Sequence, residues 1–249
     1  MWIDAHNHLQ DPALRPPLDE AVPTLVQAGV TAAVVNGTTE ADWPAVAELA
    51  TQHEWVLPSF GLHPWYLRQR TPQWEETLRE FLTRFPQSGV GEIGLDRWME
   101  NPDLEDQKSV FETQWRLAVA LDRPITVHCL RAWCALDELL STLPSPGRGF
   151  LLHAYGGPAE MVKRWTSLGA YFSFSPSFLL PGRERKLEPF RIIPANRLLV
   201  ETDAPSMGVP LDIIPAYEGL AALRGCTVDE LKEQVAINFR RLFASGAAR

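Results

Sequence analysis

Trp2-Ile3-Asp4-Ala5-His6-Asn7-His8 is a short apolar stretch that runs into two histidines, and it predicts a β-strand over Trp2 to Ala5. An open nucleotide-binding sheet carries a glycine-rich phosphate loop after its first strand, whereas this chain has His-Asn-His at that position. Residues two apart on an extended strand point to the same side, so His6 and His8 can reach one centre. This stretch therefore argues against an open nucleotide-binding sheet and marks a site at the end of the first strand.

Outward from this stretch, short apolar runs alternate with amphipathic helical patterns along the chain. The further predicted strands are Thr31 to Val35, Val56 to Phe60, Val90 to Ile93, Ile125 to Val127, Phe150 to Leu152, Ala170 to Phe174 and Leu198 to Val200. Helices are predicted over Pro44 to His53, Trp74 to Phe85, Leu104 to Leu121, Ala159 to Leu168 and Val228 to Phe243. Eight strands that alternate with helices are typical of a (β/α)8 barrel, which usually has about 250 residues. Residues 1–249 are therefore predicted to form one α/β domain, a TIM-type (β/α)8 barrel. An open doubly wound sheet remains the alternative, because the number of strands does not prove closure.

The composition limits the classes of protein to which this chain can belong. Its 249 residues include 31 acidic and 23 basic ones, a formal net charge of −8, which excludes a broad basic coat for nucleic acid. Hydrophobic residues at 45% and charged residues at 22% exclude disorder, collagen and coiled coil. No signal peptide or membrane-spanning apolar run is present, and the three cysteines lack zinc or CxxC spacing. We therefore expect a cytoplasmic monomer with reduced thiols, no membrane contact and no obligate protein partner.

Five of the six histidines follow predicted strands, where a β/α barrel builds its active site. These are His6, His8, His63, His128 and His153; the predicted fourth strand adds Glu92, the eighth is followed by Asp203, and only His53 falls at a helix end. A single histidine after a strand is more often a packed loop residue than a ligand, but the joint pattern favours a metal site. Imidazole and carboxylate without thiolate suit Zn, Mn, Co or Ni, and Mg is a further candidate.

Several motifs, in the same order along the chain, resemble the TatD family of metal-dependent hydrolases within the amidohydrolase superfamily. They are Ile3-Asp4-Ala5-His6-Asn7-His8, Gly61-Leu62-His63-Pro64, Gly91-Glu92-Ile93-Gly94-Leu95-Asp96, Pro124-Ile125-Thr126-Val127-His128, His153-Ala154-Tyr155-Gly156-Gly157, Glu201-Thr202-Asp203-Ala204-Pro205 and the closing Asn238-Phe239-Arg240-Arg241-Leu242-Phe243. The chain departs from the family pattern after Asp96 and after Pro205, and both departures lie on the expected substrate rim.

The resemblance implies a divalent-metal-dependent hydrolase with two metal ions. His6, His8 and Asp203 would hold the first ion, His128 and His153 the second, and Glu92 would bridge them. The implied reaction is hydrolysis of a phosphodiester by a metal-bound hydroxide, as in a deoxyribonuclease of the 3′-exonuclease type, with catalytic roles for Asp203, Glu92 and His63. Asp203 would also accept a proton, and His63 would touch a phosphate oxygen or donate a proton to the leaving alkoxide. DNA or another ester would be the substrate.

The expected substrate contacts are His63, Arg97, Arg131 and Tyr155 on the loops that follow the strands. Arginines there could bind phosphates against the overall negative charge, and aromatic side chains could stack on unpaired bases. The alternatives are ordinary solvated arginines and aromatic side chains that only pack in the core.

Two other functions remain open from the sequence. The same metal site could hydrolyse a carboxylic ester or amide, as in a D-aminoacyl-tRNA deacylase or a small-molecule lactonase. The chain could also be a metal-free barrel that acts as a scaffold or binding protein. The complete set of candidate ligands favours the enzyme.

Overall fold

The structure, a computed structural model, describes residues 1–208 and 210–244, so the last residues of the predicted domain and Val209 of the loop after Pro205 lie outside it. Its strands form one parallel sheet in which each strand pairs with the next along the chain. They are β1 (Trp2–Asn7), β2 (Val30–Asn36), β3 (Val56–Phe60), β4 (Gly89–Asp96), β5 (Ile125–Leu130), β6 (Phe150–Leu152), β7 (Ala170–Phe174) and β8 (Leu198–Val200). This topology confirms the predicted TIM-type (β/α)8 barrel.

Helices connect the strands and cover the barrel. They are α1 (Leu18–Gln27), α2 (Trp43–Gln52), α3 (Trp74–Arg84), α4 (Leu104–Ala120), α5 (Trp133–Thr142), α6 (Val162–Ser167), α7 (Glu188–Ile192), α8 (Ile214–Arg224) and α9 (Val228–Phe243). The helix predicted over Ala159 to Leu168 begins instead as a 3-10 turn, Ala159–Met161, and continues as the short α6. No helix in the described part of the chain has the length and apolar character to cross a bilayer.

The segment after β8 closes the barrel onto β1. The buried carboxylate of Asp4 accepts hydrogen bonds from the backbone N–H and the hydroxyl of Thr202, at 3.0 and 2.6 Å. The backbone N–H of Asp203 donates to the His6 carbonyl at 3.0 Å, and that of His8 donates to the Ala204 carbonyl at 2.8 Å. Barrel closure therefore places the first two histidines next to Asp203.

Apolar side chains fill the space between the sheet and the helices. Trp115 of α4 is buried and meets Phe150 of β6 edge to face, with ring centroids 5.2 Å apart. A β-carbon at Gly94 on β4 would overlap the backbone carbonyl of His128 on β5, so these strands approach each other closely only because residue 94 is glycine. This close approach brings Glu92 of β4 near His128.

Candidate metal centre

One side of the Glu92 carboxylate faces the two histidines at the end of β1. Oε2 of Glu92 lies 3.3 Å from Nε2 of His6 and 3.2 Å from Nε2 of His8, and these two nitrogens lie 3.2 Å from each other. Asp203 approaches from the segment after β8, with Oδ1 3.5 Å from Nε2 of His6 and 3.8 Å from Nε2 of His8. The period-two spacing on β1 therefore brings both imidazoles to one point, with a carboxylate on each side of it.

The other side of the Glu92 carboxylate faces three histidines, one on β5 and two in the segments that follow β3 and β6. Oε1 of Glu92 lies 2.8 Å from Nε2 of His153, 3.1 Å from Nδ1 of His128 and 3.3 Å from Nε2 of His63. Glu92 itself is buried, so both of its oxygens are committed to these two groups of histidines. The structure thus brings together all six side chains that the sequence proposed as ligands, and it adds His63.

The second ring nitrogen of three histidines is held by an oxygen. Nδ1 of His8 donates to the carbonyl of Asn36 at 2.8 Å, which leaves the lone pair on the Nε2 that faces Glu92. Nε2 of His128 lies 2.9 Å from Oδ2 of Asp96, and Nδ1 of His153 lies 3.4 Å from Oε1 of Glu201. An imidazole that donates one N–H to an oxygen is oriented to bind a metal ion through the other nitrogen.

His63 has the opposite arrangement. It caps the 3-10 turn Pro64–Gln69, and its Nδ1 accepts a hydrogen bond from the backbone N–H of Trp65 at 3.2 Å. A neutral imidazole that accepts at Nδ1 carries its proton on Nε2, and that nitrogen faces the cluster. His63 therefore presents a hydrogen-bond donor where His8, His128 and His153, in their neutral forms, present lone pairs.

Burial and the charge of Glu92 control protonation within the cluster. Burial lowers the pKa of His6 and of His63 to about 4. Burial also opposes protonation of His8, but the hydrogen bond and the charge of Glu92 outweigh it and raise the pKa to about 9. Burial would raise the pKa of Glu92, yet the surrounding histidines hold it well below its usual value. The Asp203 carboxyl has its pKa raised to about 7, first by burial and then by the negative charge of Glu201.

The donor set fits divalent metal ions. Three groups of side chains, among the described residues, each have ligand atoms within 4.8 Å of one another: His6, His8 and Asp203; His6, His153 and Glu201; and His63, Glu92 and His128. The donors are imidazole nitrogens and carboxylate oxygens without thiolate, which suits Zn, Mn, Co or Ni. The imidazole lone pairs that point at Glu92 would be repelled by its negative carboxylate. Either protons on the histidines or a bound cation would remove this repulsion.

The arginines proposed as substrate contacts lie on the surface beside the cluster. Arg97 directly follows β4 and Arg131 directly follows β5, and both are exposed. The guanidinium of Arg131 lies 5.8 Å from the centroid of the Trp98 ring, which is itself 54% exposed. Trp65 is 45% exposed, and its indole N–H donates to Oδ2 of Asp96 at 2.6 Å. These residues form an open rim of two cations and two aromatic rings.

Tyr155 does not lie on this rim, contrary to the expectation from the sequence. Its ring is completely buried, packs edge to face against Trp133 and Phe172, and its hydroxyl donates to the Pro158 carbonyl at 2.8 Å. The turn after β6 directs this side chain into the core, so no face of the ring is free for a base.

Sequence reasoning assigned no role to the groups that hold the histidines. Asp96 accepts from the backbone N–H groups of Trp98 and Met99 at 2.6 and 3.1 Å in addition to its contact with His128. Burial alone would raise the pKa of Asp96, but the hydrogen bond from His128 lowers it to about 2. Glu201 accepts a hydrogen bond from the hydroxyl of Ser173. Asp96 could have been found, because it lies four residues after Glu92 on one strand and therefore on the same face.

Comparison with known proteins agrees with this geometry. A family model described as TatD related DNase matches residues 3–244. The uncharacterized metal-dependent hydrolase YjjV of Escherichia coli strain K12 is 27% identical over 253 residues, which cover 97% of each chain. A crystal structure of the YjjV TatD homolog from Escherichia coli K12 superposes with a TM-score of 0.90 at 26% identity and covers 98% of both chains. The 3′-5′ ssDNA/RNA exonuclease TatD of Erwinia tasmaniensis is 28% identical over 241 residues, 90% of this chain and 93% of that one. This chain belongs to the TatD-related DNase family and is a metal-dependent hydrolase of the TatD type.

Proposed function

We propose that this chain hydrolyses phosphodiester bonds of single-stranded nucleic acid at a centre for two divalent metal ions. His6, His8 and Asp203 would hold one ion, His128 and His153 the other, and Glu92 lies between them. The observation that carries this proposal is that the two oxygens of one buried carboxylate face two separate groups of imidazoles. Two bound ions would lower the pKa of a water molecule and stabilise the attacking and leaving oxygens. Zn, Mn, Co, Ni and Mg are the candidates.

Asp203 is the group that accepts the proton of the attacking water. Its side chain is 21% exposed, against 3% for Glu92, so Asp203 is the carboxylate of the cluster that would pass a proton on to solvent. Its backbone has a φ of +60°, in the left-handed region that residues other than glycine seldom adopt. This conformation is maintained by the hydrogen bond from its own N–H to the His6 carbonyl.

His63 is the group that donates a hydrogen bond or a proton to the phosphate. The bond from Trp65 N to Nδ1 keeps the proton on Nε2, the nitrogen directed at the cluster. A donor at that position can stabilise charge on a phosphate oxygen or protonate the departing alkoxide. The low pKa of the buried ring favours the neutral form, in which His63 would donate a hydrogen bond to a phosphate oxygen, whereas protonation of the alkoxide would need the imidazolium form.

Nucleic acid fits the rim beside the cluster better than a small neutral ester does. The exposed guanidinium groups of Arg97 and Arg131 can contact phosphates, and the exposed rings of Trp65 and Trp98 can stack on unpaired bases. The Erwinia relative is named as an exonuclease of single-stranded DNA and RNA, which supports the same substrate class. A chain of net charge −8 can bind a polyanion at such a local patch.

The decisive experiment removes all metal with a chelator and adds back Mg, Mn, Co or Zn one at a time. Each preparation is assayed on single-stranded DNA, on bis(4-nitrophenyl) phosphate and on a D-aminoacyl ester. We expect metal-dependent cleavage of both phosphodiesters, which is lost in His128→Ala and retained in His53→Ala, a histidine outside the cluster. Activity restricted to the aminoacyl ester would replace this proposal with a deacylase. No bound metal and no activity with any added metal would favour a scaffold.

A further inference from the structure

A cavity of about 290 Å³ lies beside the metal cluster and is not explained by metal binding. It is an open pocket lined by the loop after β2, which contributes Thr39 to Ala41, and by the turn after β3, which contributes Tyr66 and Gln69 to Thr71. Both segments follow the carboxyl ends of their strands, the end at which a β/α barrel binds substrate.

Two residues of the lining, Leu62 and Tyr66, lie close to His63 along the chain. The backbone N–H of His63 donates to the Thr38 carbonyl at 2.9 Å, so the loop after β2 is joined to the residue proposed to contact the phosphate. Tyr66 lines the cavity, and its ring centroid lies 5.9 Å from that of the His63 ring. A substrate with its phosphate at His63 therefore has its next chemical group within reach of this cavity.

The charges around the cavity disfavour a second phosphate there. Arg70 is neutralised by two hydrogen bonds to the Asp106 carboxylate, at 2.8 and 2.7 Å. The Glu40 carboxylate accepts from the backbone N–H and the hydroxyl of Thr71, both at 2.7 Å, and within residues 1–208 and 210–244 it has no ion pair with a cation. Among the described residues of the lining, the one cation is therefore already paired with a carboxylate, and the one carboxylate faces the cavity unneutralised, so the cavity favours an uncharged group over an anion.

The remaining lining and the volume suit one ring system with polar edges. Leu62 and Tyr66 supply apolar and aromatic surface, and Thr39, Gln69 and Thr71 supply hydrogen-bonding groups at the edge. A volume of about 290 Å³ is at the lower end of the ~300–1,000 Å³ typical of small-molecule sites, so a single nucleoside fits and an oligonucleotide does not.

We propose that this cavity binds the base and sugar of the nucleotide that carries the scissile phosphate. This inference rests on the proposed phosphodiesterase function and adds to it a preference for a nucleoside next to the reacting phosphorus. The rim of arginines and tryptophans then contacts the strand on the other side of that phosphate.

The test compares two chromogenic esters that differ in one substituent of the phosphate. They are thymidine 5′-(4-nitrophenyl phosphate) and bis(4-nitrophenyl) phosphate, which share one 4-nitrophenyl leaving group and carry thymidine or a second 4-nitrophenyl group as the other substituent. The measured quantity is the ratio of their kcat/KM values in each variant, compared with the same ratio in the wild type. Ala41→Trp and Gln69→Trp fill the cavity from opposite walls at exposed positions, and Ala45→Trp is the matched control at an exposed position of α2 outside the lining.

We expect the metal-loaded wild-type protein to prefer the nucleoside ester by about ten-fold or more, as stacking and burial of one base predict. The ratio should fall several-fold below the wild-type value in both cavity-filling variants and stay at the wild-type value in Ala45→Trp. Because both esters use the same metal cluster, general damage to that cluster cancels in the ratio. No preference in the wild type, or a preference that survives in both filled variants, overturns the inference.

A binding measurement separates failure of this inference from failure of the proposed function. If the metal-loaded protein hydrolyses neither ester, the proposed function is wrong, and the cavity is tested by titration calorimetry with thymidine 5′-monophosphate and with inorganic phosphate. Tighter binding of the nucleotide that Ala41→Trp abolishes and Ala45→Trp retains would support a nucleoside site. Equal binding of the two ligands would exclude it.

Discussion

His63 and His8 belong to one buried cluster, yet the hydrogen bonds at their Nδ1 atoms have opposite directions. Nδ1 of His8 donates to the Asn36 carbonyl, whereas Nδ1 of His63 accepts from the backbone N–H of Trp65. A single backbone contact thus decides whether an imidazole can ligate a cation or can donate a hydrogen bond to a substrate.

This difference predicts the effect of His63→Ala. The variant should bind as much metal as the wild type, because His63 offers no lone pair to the cluster, and its kcat should fall by about a hundred-fold or more. Metal content is measured by atomic emission on the dialysed protein, and kcat with bis(4-nitrophenyl) phosphate. His128→Ala is the control that loses metal. Loss of metal from His63→Ala would instead identify His63 as a ligand.

Asp96 acts on the metal site through His128. Asp96→Asn keeps the shape of the side chain but removes the charge that holds the His128 ring and its proton. Metal affinity should weaken by about 10- to 100-fold, the usual effect of removing an outer hydrogen-bond partner of a ligand. Competition with a fluorescent chelator measures the metal affinity. The control is Asp137→Asn, which removes the carboxylate that pairs with Arg164 on the surface. Unchanged affinity in Asp96→Asn would show that His128 needs no orienting carboxylate.

At the scale of elements, the capping box at the start of α9 is the clearest local signal. Thr227 Oγ1 accepts from the Glu230 N–H at 3.2 Å, and the Glu230 carboxylate accepts from the Thr227 N–H at 2.8 Å. Thr227→Ala should lower the free energy of unfolding by ~1 kcal/mol, as measured by urea denaturation. Thr24→Ala, at an exposed threonine inside α1, should change it by less than ~0.5 kcal/mol. Equal effects of the two substitutions would mean that the cap contributes nothing.

The strands could be predicted from the sequence because seven of them are marked by short apolar runs, rich either in β-branched or in aromatic and leucine residues. β4 differs most in extent, since it runs from Gly89 to Asp96 and its glycines resemble a turn. These glycines are required by the neighbouring strand, as the overlap of a Gly94 β-carbon with His128 shows, and such a contact has no local signature. Strand positions were therefore predictable, but the carboxyl ends of β4 and β5, which extend three residues beyond the predicted ends, were not.

The side chains gathered around Glu92 could be predicted for the same reason, since each one follows or lies on a recognisable strand. The positions of the protons on the histidines could not be predicted from the sequence. The partners of His8 and His63 are backbone atoms of other segments, whose positions are set only in the folded barrel. Tyr155 was misplaced for a related reason. The turn after β6 directs the Tyr155 ring into the core. The sequence alone does not show whether a side chain in a turn points into the core or toward solvent.

At the scale of the whole molecule, bound metal should stabilise the barrel, because the proposed ligands come from β1, β4, β5, β6 and the segment after β8. Saturation at about one hundred times the dissociation constant contributes about 2.7 kcal/mol, which corresponds to a rise in Tm of roughly 5–10 °C for a chain of this size. Calorimetry of chelator-treated and Zn- or Mn-reloaded protein measures the shift. The metal-dependent rise in Tm should be absent from a His6→Ala/His8→Ala double variant. A Tm independent of every added metal would contradict a shared metal site.

The hydrogen bonds that close the barrel join residues 198 positions apart in the sequence, at Asp4 and Thr202. A polypeptide that has been synthesised only as far as β7 already contains His6 and His8, but it has neither Asp203 nor the strand that aligns them. A proteolytic fragment that begins after His8 or ends before Asp203 is incomplete in the same way. Such translation intermediates and degradation products are expected to lack the proposed nuclease activity.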